Sequence, residues 1–589
     1  MIKIPGELGW VQDNQADTLG SIKESFNIDP ESNRGRIRTT RTKRVAYTGS
    51  PTGFGEIAAM DKFDGTIYVA SEHSSAHDIW AGGNTPFDSF TNDPTSIEIV
   101  PNTTDIKGWN NGLYAATGNE MFYSTDGAAW TEIGANVLTS GDPHLLESLN
   151  QYLYVTDQDY KVFSVTTGNA FQGSGSQTLN LNLPGYTVMM LSAGIDQIWI
   201  GLSNIDGGVP SLVFEWDGTT ANTTSARYEI QASGIMAGIV KDGVPYLVDS
   251  LGRLMRFNGG VFVEVARFPL NGGTFKGWGL AQQMARAIHP RGMAIDGDEI
   301  LITVSNRTDG ITSDNYNEFP SGVWAYSEKN GLYHKYSPSY QAVADTGTTN
   351  LTDYGQYRTF SAGPMMVVES VAVGGDTVAS NGGRVMFAME YFIDADDTSA
   401  DTQWGLFTDD TNDNTQKAGW YISPRIDSAK FRDVWEKLYP AISDLETSGD
   451  LVEIKYRTKD ETPTYFSGTW TGTDRISTLT ELTNHKQGDE ITIVHGKGAG
   501  AIVHATLVSS GAGSEVVFDR SITGITVGQT SKFKIEKWKK IAKVTDTEIF
   551  DRGYTIGATD HWIQIKIYMQ WTGKRELYSI LVNNIASIS

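Results

Sequence analysis

The chain has 589 residues, a formal net charge of −24, 39% hydrophobic residues and no cysteine. A single hydrophobic core stops growing at about 250–300 residues, so this length predicts about two to four domains. The hydrophobic content excludes a globally disordered chain, and the lack of cysteine excludes disulfides, thiolate metal sites and cysteine nucleophiles. The acidic charge argues against non-specific nucleic-acid binding by the chain as a whole.

The composition also indicates the fold class. Glycine is abundant, at 63 residues, and Thr, Ser, Asp and Asn are frequent, which is typical of short strands joined by tight turns. Long stretches of Ala, Leu, Glu and Lys at helical spacing are nearly absent, so we expect an all-β protein. The N-terminal sequence MIKIPGE lacks the apolar core of a signal peptide, and no segment approaches the roughly 20 apolar residues of a membrane span. We therefore expect a soluble protein made in the cytoplasm.

Residues 1–48 have the composition of an N-terminal arm with a basic run. The basic residues are Arg34, Arg36, Arg38, Arg41, Lys43 and Arg44. A segment with so little apolar content is floppy on its own, so we expect an acidic face of the same chain or of a neighbouring subunit to hold it. No aromatic residues are interleaved for base stacking, so nucleic-acid binding is the less favoured alternative. The six side chains are therefore candidate contacts between subunits.

From residue 49 to 410 a loose repeat predicts a six- or seven-bladed β-propeller. Each unit has an apolar strand, a turn rich in Gly, Asn or Asp, and a second strand rich in Tyr, Trp and Val. The pairs are 57–60 with 67–70, 108–115 with 121–124, 145–149 with 152–155, 188–191 with 197–201, 235–240 with 245–248, and 292–295 with 299–302. A poorer seventh pair is 367–373 with 385–391. Spacings of about 40–60 residues fit four-stranded blades with insertions, and two stacked β-sandwiches are the competing architecture.

The acidic stretch 394–414 (DADDTSADTQWGLFTDDTNDN) predicts a loop and a domain boundary. Residues 411–589 then contain strands such as 451–457 and 561–568, whose alternation of apolar and polar residues is typical of strands buried on one face. We expect a β-sandwich here. Five short strands with glycine turns between 484 and 536 predict a small β-barrel inserted into it.

Four motifs could carry chemistry, and each has a simpler structural explanation. The glycine-rich segment 496–501 contains a lysine, but it lacks the order of a phosphate loop and no helix follows it. His73 and His77 have the spacing of a helical metal site, yet they lie in a serine-rich segment between strands without a third ligand. The carboxylates of 394–413 lack the frame of a calcium loop. We therefore expect turns and solvated loops, with no metal and no cofactor.

Residues 123–130 (YSTDGAAW) resemble a degenerate Asp box, which is a turn of sialidase-type propellers. The segment is one residue short of the usual spacing, and in sialidases this box lies away from the catalytic centre. The early Phe/Tyr-Arg-Ile-Pro signature of sialidases is also missing, and no Gly-x-Ser-x-Gly elbow occurs. The sequence thus offers no catalytic constellation, and we expect a protein that is not an enzyme.

Several segments resemble tailed-bacteriophage virion proteins built from a propeller and a β-sandwich. The segments are 254–269, 289–306 (HPRGMAIDGDEILITVSN), 321–337, 435–438 and 454–457, together with the glycine-rich insertion. The resemblance is to nozzle or tail-tube proteins of short-tailed phages. It implies a virion tail protein made in the host cytoplasm, which forms a cyclic ring, expected to be a hexamer, with other tail proteins as neighbours. The arm and the sandwich would make contacts, and genomic DNA would pass through the ring without specific binding.

Two other functional classes remain as alternatives. A receptor-binding or adhesin propeller would recognise host glycans through an exposed face lined by aromatic residues such as Trp80, Trp109 or Trp130. Tryptophans in these positions more often belong to blade cores. A glycan hydrolase is the third class, and the missing sialidase signature disfavours it.

Overall fold

The structure is a computed structural model. It describes residues 55–73, 76–82, 90–92, 103–139, 144–157, 161–172, 178–204, 209–219, 226–232, 234–270, 287–305, 320–337, 359–368, 384–392, 402–409, 418–423, 425–427, 433–443, 445, 450–459, 463–478, 482, 485, 487–495, 501–509, 514–522, 525, 527–545, 553–570, 575 and 577–586, with strand residues 2–4, 24–26, 28–29, 38–39 and 43–45. Every regular element in these ranges is a β-strand, as the composition predicts. None of this described part forms a helix with the length and apolarity needed to cross a membrane.

Five short strands occupy the N-terminal segment. They are β1 (Ile2–Ile4), β2 (Glu24–Phe26), β3 (Ile28–Asp29), β4 (Arg38–Thr39) and β5 (Lys43–Val45). β3 pairs with β4, and the other three strands join sheets that form later in the chain.

Seven antiparallel sheets follow, and each is one blade of a propeller. Blade one contains β6 (Ile57–Phe63), β7 (Thr66–His73), β8 (Ala76–Gly82) and β9 (Phe90–Asn92). Blade two contains β10 (Asp105–Trp109), β11 (Gly112–Ala116), β12 (Met121–Ser124) and β13 (Thr131–Gly134). Blade three contains β14 (Leu146–Leu149), β15 (Tyr152–Asp157), β16 (Lys161–Thr166), β17 (Phe171–Gln172) and the extra β18 (Leu179–Asn180). Blade four contains β19 (Tyr186–Ala193), β20 (Ile198–Asn204), β21 (Ser211–Trp216) and β22 (Arg227–Ile230). Blade five contains β23 (Ile235–Lys241), β24 (Val244–Asp249), β25 (Arg253–Phe257) and β26 (Phe262–Arg267). Blade six contains β27 (Met293–Asp296), β28 (Glu299–Val304), β29 (Gly322–Ser327) and β30 (Gly331–Tyr336). Blade seven contains β31 (Thr359–Val368), β32 (Arg384–Phe392), β33 (Thr402–Asp409) and the N-terminal β5.

The first strands of the blades form a closed circle. β6, β10, β14, β19, β23, β27 and β31 contact one another in this order, and β31 returns to contact β6. The fold is therefore a propeller, with seven blades in the described residues. The seventh unit of the sequence repeat is a real blade, and its outer strand comes from the N-terminal segment, because β5 pairs antiparallel with β33.

The segment 394–414, expected to be a loop, contains a strand of this last blade. β33 has the sequence TQWGLFTD, and its Leu406 and Phe407 are buried. The aspartates on either side of this apolar centre hid the strand in the sequence pattern. The expected boundary near residue 410 follows β33 directly.

Within the described residues, the C-terminal part contains fourteen strands in three sheets. They are β34 (Ala418–Ile422), β35 (Ile426–Asp427), β36 (Asp433–Ile442), β37 (Leu451–Arg457), β38 (Thr464–Gly472), β39 (Arg475–Thr478), β40 (Glu490–His495), β41 (Ile502–Val508), β42 (Ser514–Phe518), β43 (Thr530–Glu536), β44 (Lys539–Val544), β45 (Tyr554–Thr559), β46 (Trp562–Gln570) and β47 (Leu577–Ala586). One sheet has the order β1-β47-β36-β45, and the second has β2-β34-β46-β37-β44 with β35 beside β46. Trp435, Ile454, Ile567 and Val582 join the two sheets in one core, which forms the expected sandwich.

The inserted barrel is closed and has six strands in the order β38-β39-β42-β41-β40-β43. It begins at Thr464, so the expected insertion at 484–536 is too short by two strands. β38 alternates Phe466 and Trp470 inward with exposed positions between them, which is the pattern of a barrel wall.

The described strands of the N-terminal segment do not form a separate arm. Ile2 pairs with Val582 in one sandwich sheet, Phe26 pairs with Trp420 in the other, and Arg44 pairs with Thr408 in the last blade. The segment therefore extends three sheets of its own chain. Pairing between distant parts of a chain leaves no local signal in the sequence, which is why the composition pointed to an arm.

Candidate functional site

The six basic residues predicted to contact other subunits divide into two groups. Arg38 lies in β4, and Lys43 and Arg44 lie in β5, where their backbones pair within the same chain. Arg34, Arg36 and Arg41 lie outside the described residues. Contacts between subunits through these side chains stay a prediction.

The other motifs lie on strands and turns. His73 ends β7 and His77 belongs to β8, so the pair sits in a β-hairpin and not in the loop expected from its serines. Residues 496–500 connect β40 to β41 and lie outside the described residues, as do 394–401 and 410–414.

The segment resembling an Asp box forms the turn between β12 and β13. The Asp126 carboxylate accepts hydrogen bonds from the backbone N–H groups of Ala129 and Ala128, both at 2.9 Å, and from the Ser124 hydroxyl at 3.0 Å. These bonds lower the pKa of Asp126. At Gly127, where φ is +74°, a Cβ atom would lie 2.3 Å from the Tyr68 hydroxyl. All these contacts fix the turn, so its role here is structural.

Arg291 forms the first buried polar site, where the inner strands of the propeller meet. Its Nε and Nη2 donate to Asp105 Oδ2 at 2.9 and 2.6 Å, and Nη1 donates to the Leu191 carbonyl at 3.2 Å. Nη2 also donates to the Leu146 carbonyl. Its own carbonyl accepts from the N–H of Met365 at 2.8 Å. One residue beside β27 thus binds β10, β14, β19 and β31.

Burial and the ion pair act in opposite directions on the two charges at this site. Burial raises the pKa of Asp105, and the guanidinium of Arg291 opposes that rise. Burial also works against the charge of Arg291, but the carboxylates of Asp105 and Glu147 outweigh it and raise the pKa of the guanidinium. Glu147 in turn lies 3.2 Å from Lys107. We call Arg291, Asp105, Glu147 and Lys107 the axial cluster.

The second polar site joins the barrel to the sandwich, and we call it the interface cluster. It comprises Glu453 and Lys455 of β37, Lys566 of β46, Glu490 of β40 and Glu536 of β43. Lys455 Nζ lies 3.1 Å from Glu453 Oε2 and also binds Glu490. Lys566 binds the other oxygen of Glu490 and lies 3.4 Å from Glu536. The side chains of Lys455, Lys566, Glu490 and Glu453 each keep only 1% of their surface exposed.

Lysines hold the carboxylates of this cluster in their charged form. Burial alone would raise the pKa of Glu490, but Lys455 and Lys566 outweigh it and hold that pKa well below the usual range. The pKa of Glu536 is lowered against burial by Lys534 and Lys566. Carboxylates and ammonium groups in such contact stabilise one another where water is excluded.

His504 extends the interface cluster and could be mistaken for a metal ligand. Its Nδ1 lies 3.0 Å from Asp519 Oδ2, and its Nε2 lies 3.5 Å from Glu453 Oε2. One atom from each residue lies within 4.8 Å of the others, close enough to share an ion. However, Lys455 Nζ lies 3.1 Å from the same oxygen of Glu453, and Lys540 Nζ lies 3.5 Å from the other. Two cations already neutralise this carboxylate and would repel a metal ion, so the group does not suit one.

Sequence reasoning missed both clusters. The strand LVEIKYR was expected to be buried on one face, but both faces of β37 are buried, because the barrel covers the polar one. The available signal was the opposite charges of Glu453 and Lys455, two residues apart between apolar neighbours. Arg291 lies in the segment 289–306, but nothing in the local sequence gives its partners.

The tryptophans named for a receptor-binding face are not exposed. Trp80 and Trp130 keep 1% and 9% of their surface, and Trp109 is partly buried against the core between blades two and three. These three rings therefore do not form an open aromatic surface.

Comparison with known proteins is limited to the fold. No protein-family model matches the chain, and no curated protein matches its sequence. Among solved structures, it is similar to the computationally designed Ika8 protein at 10% identity and TM-score 0.34, over 66% of this chain and 95% of that one. It is also similar to a chain of the mitotic checkpoint complex at 13% identity and TM-score 0.35, over 64% of this chain and 96% of that one. A third similar structure is BBS1N in complex with ARL6DN, at 9% identity and TM-score 0.36, over 63% of this chain and 97% of that one. Similarity at these identities and TM-scores assigns no function to the chain.

Proposed function

We propose that this chain is a non-enzymatic structural subunit of a bacteriophage tail, a nozzle or tail-tube protein that forms a ring around the DNA exit channel. The proposal starts from the resemblance of segments such as 289–306 and 321–337 to phage virion proteins. A propeller followed by a sandwich is the architecture that this resemblance implies. The expected copy number is six, and the expected neighbours are other tail proteins.

The observation that carries the proposal is how the chain uses its buried ionisable groups. Arg291 and Asp105 connect inner strands of the propeller, and Lys455, Glu490 and Lys566 connect the barrel to the sandwich. Buried charges of an enzyme converge on a cleft where a substrate can reach them. Here they bind one another between elements, which supports a role in holding shape.

The net charge of −24 supports passage of DNA without binding. Phosphates are repelled by a wall of carboxylates, so a duplex would slide past it without forming the cation contacts that slow it. A ring whose channel is lined mainly by Lys and Arg would refute this part of the proposal.

Negative-stain electron microscopy of the purified protein tests the proposal against its alternatives. We expect closed rings with a central channel. Monomers or elongated trimers that are retained on host cells would instead support the receptor-binding alternative, and turnover of host polysaccharide would support a hydrolase. Either of these results would refute the tail-ring assignment.

A further inference from the structure

A group of exposed lysines lies along one edge of the sandwich, and we call it the basic edge. It comprises Lys459, Lys537, Lys539, Lys540 and Lys543. β44 is the last strand of its sheet and pairs with β37, and Lys459 follows β37 at the end where β44 begins. The chain has 46 basic and 70 acidic residues, so this concentration of positive charge is local.

Lys540 of the basic edge is partly neutralised, because its Nζ lies 3.5 Å from Glu453 Oε1, but three other lysines of this edge have no ionic partner among the described residues. Lys534, in the strand just before it, points inward and pairs with Glu536 at 3.3 Å. Lys459, Lys539 and Lys543, by contrast, form no ion pair with any residue that the structure describes. Lys539 approaches only the ring of Tyr456, at 5.8 Å. The positive charge therefore faces outward.

Lysines on an edge strand also prevent sheets from pairing edge to edge. That role explains Lys539, Lys540 and Lys543, which lie on β44 itself. It does not require Lys537 and Lys459, which lie outside the two paired strands and still add to the same edge. A partner of opposite charge accounts for Lys459 as well as for the lysines of β44.

The propeller carries a surface of the opposite charge. Strands in a blade alternate in direction, so the turns after the first and after the third strands all open at one end of the propeller. The exposed acidic residues on these turns, which we call the acidic turn face, are Asp64, Asp126, Asp196, Asp217, Asp242, Asp298 and Glu328. Two of them already have a basic partner, since Lys241 lies 3.2 Å from Asp242 and Arg256 lies 2.8 Å from Glu328. A positive φ angle, which is +44° at Asp64 and +52° at Asp242, explains why aspartate occurs at these two turn positions. Asp196 and Asp298 do not have a positive φ angle, so the backbone conformation does not account for their acidic side chains. Lys329 is the exposed lysine on the described turns of this end.

We propose that the basic edge of one copy binds the acidic turn face of a second copy. The two surfaces are different, so the contact is head-to-tail, and its repetition closes a ring when the rotation from copy to copy adds up to a full turn. The inference rests on the proposed ring assembly and names the surfaces that form it. Because the chain carries a net charge of −24, most other approaches between copies set acidic surfaces against each other. Electrostatic complementarity therefore selects this orientation.

A second copy fits the basic edge better than a nucleic acid does. The five cations are all lysines, without the arginine fork that reads bases. Trp538, the tryptophan beside them, keeps only 6% of its surface and lies under the guanidinium of Arg457, so it offers no face for stacking. The net negative charge repels a long polyanion, whereas the rigid turns of a second copy present single carboxylates at fixed positions.

A charge-swap experiment with the full chain tests the contact. The lysine variant carries Lys459→Glu, Lys539→Glu and Lys543→Glu, and the turn variant carries Asp196→Lys and Asp298→Lys, at positions whose φ angles tolerate lysine. We expect each variant to weaken self-association about tenfold or more at low salt, measured by sedimentation velocity. The two variants mixed as separate chains, or combined in one chain, should recover assembly. A control with Arg227→Glu, Arg267→Glu and Arg475→Glu, which lie on neither surface, changes the net charge as much as the lysine variant does and should assemble like the wild type.

Three outcomes would overturn the inference. Rings of the lysine variant that match the wild type would exclude the basic edge as the contact, while leaving the proposed function intact. Loss of retention on duplex DNA without loss of assembly would identify the edge as a nucleic-acid surface. A wild-type protein that stays monomeric at all concentrations would refute both this contact and the proposed ring. Thermal unfolding of each variant, expected to match the wild type, excludes misfolding as the cause.

Discussion

At the scale of a single residue, Arg291 determines how firmly the inner strands of the propeller hold together. Its guanidinium donates to Asp105 and to carbonyls of two further blades. We predict that Arg291→Met lowers the free energy of unfolding by about 3 kcal/mol, because Asp105 then remains buried as an unpaired charge. Urea unfolding measures the change. Addition of Asp105→Asn to the variant should recover part of the loss.

Arg267→Met is the matched control, since its ion pair with Glu264 leaves 56% of the arginine side chain exposed. We expect a change of less than about 1 kcal/mol there. Equal losses in the two variants would contradict the role given to Arg291.

His334 makes a second prediction at this scale, about pH. Its ring is fully buried in β30, where Nε2 lies 2.8 Å from the Ser321 carbonyl, and its backbone N–H donates to Ser25 of β2. Burial lowers the pKa of His334 to about 3. The unfolded chain therefore binds a proton near pH 6.5 that the folded chain rejects, so stability falls as the pH drops below that value. We expect a contribution of about 2 kcal/mol to be lost between pH 7 and pH 5.

Replacement of His334 by glutamine should flatten this part of the stability profile, as measured by urea unfolding at each pH. The same exchange at the exposed His561 is the control. A wild-type slope that persists in the His334→Gln variant would show that the acid sensitivity arises elsewhere.

At the scale of elements, the interface cluster fixes the barrel on the sandwich. We predict that Lys566→Met costs about 3 kcal/mol of stability, because Glu490 and Glu536 lose a buried partner. The control is Lys540→Met, whose side chain is 45% exposed and which should cost less than about 1 kcal/mol. Because the folded pKa of Glu490 is depressed, its contribution is complete above about pH 4.5 and is lost as the pH falls further. Unfolding of the two variants by urea at pH 7 and pH 4 checks both statements, and equal costs for the two lysines would contradict them.

The N-terminal strands make a further prediction about elements. Deletion of residues 1–45 would uncover the edges of β33, β34 and β47, which pair with β5, β2 and β1. We expect the truncated protein to unfold about 5 °C or more below the full chain and to aggregate, because three sheets lose a strand. Differential scanning calorimetry measures this shift. An unchanged Tm would show that these strands do not stabilise the three sheets, as expected of a separate N-terminal arm.

The same elements show what the sequence could and could not predict. Local alternation and turn residues were sufficient for the first two strands of each blade, because hairpins are short-range structures, but they predicted a loop where the last blade has β33. The closure of that blade by β5 was out of reach, since Arg44 and Thr408 meet across most of the chain. The burial of both faces of β37 was equally hidden, because it depends on a barrel inserted after that strand. The partners of the site residues were hidden for the same reason, because Arg291 and Asp105 are 186 positions apart in the sequence.

At the scale of the whole molecule, buried charge holds the shape of the chain, and we propose that exposed charge directs its assembly. The axial and interface clusters lie inside, and the basic edge and the acidic turn face lie outside. A ring built head-to-tail from such subunits buries the positive charge in its contacts and leaves carboxylates on the free surfaces. Carboxylates on a channel wall would repel the phosphates of DNA, which agrees with the proposed passage of DNA without binding.

Cryo-electron microscopy of the assembled wild-type protein tests this claim most directly. We expect a closed ring of 64.4 kDa subunits, in which the edge strand β44 of each copy contacts the propeller of the next copy and the channel is lined mainly by Asp and Glu. A protein that forms no ring, or a ring whose channel is lined mainly by Lys and Arg, would contradict it.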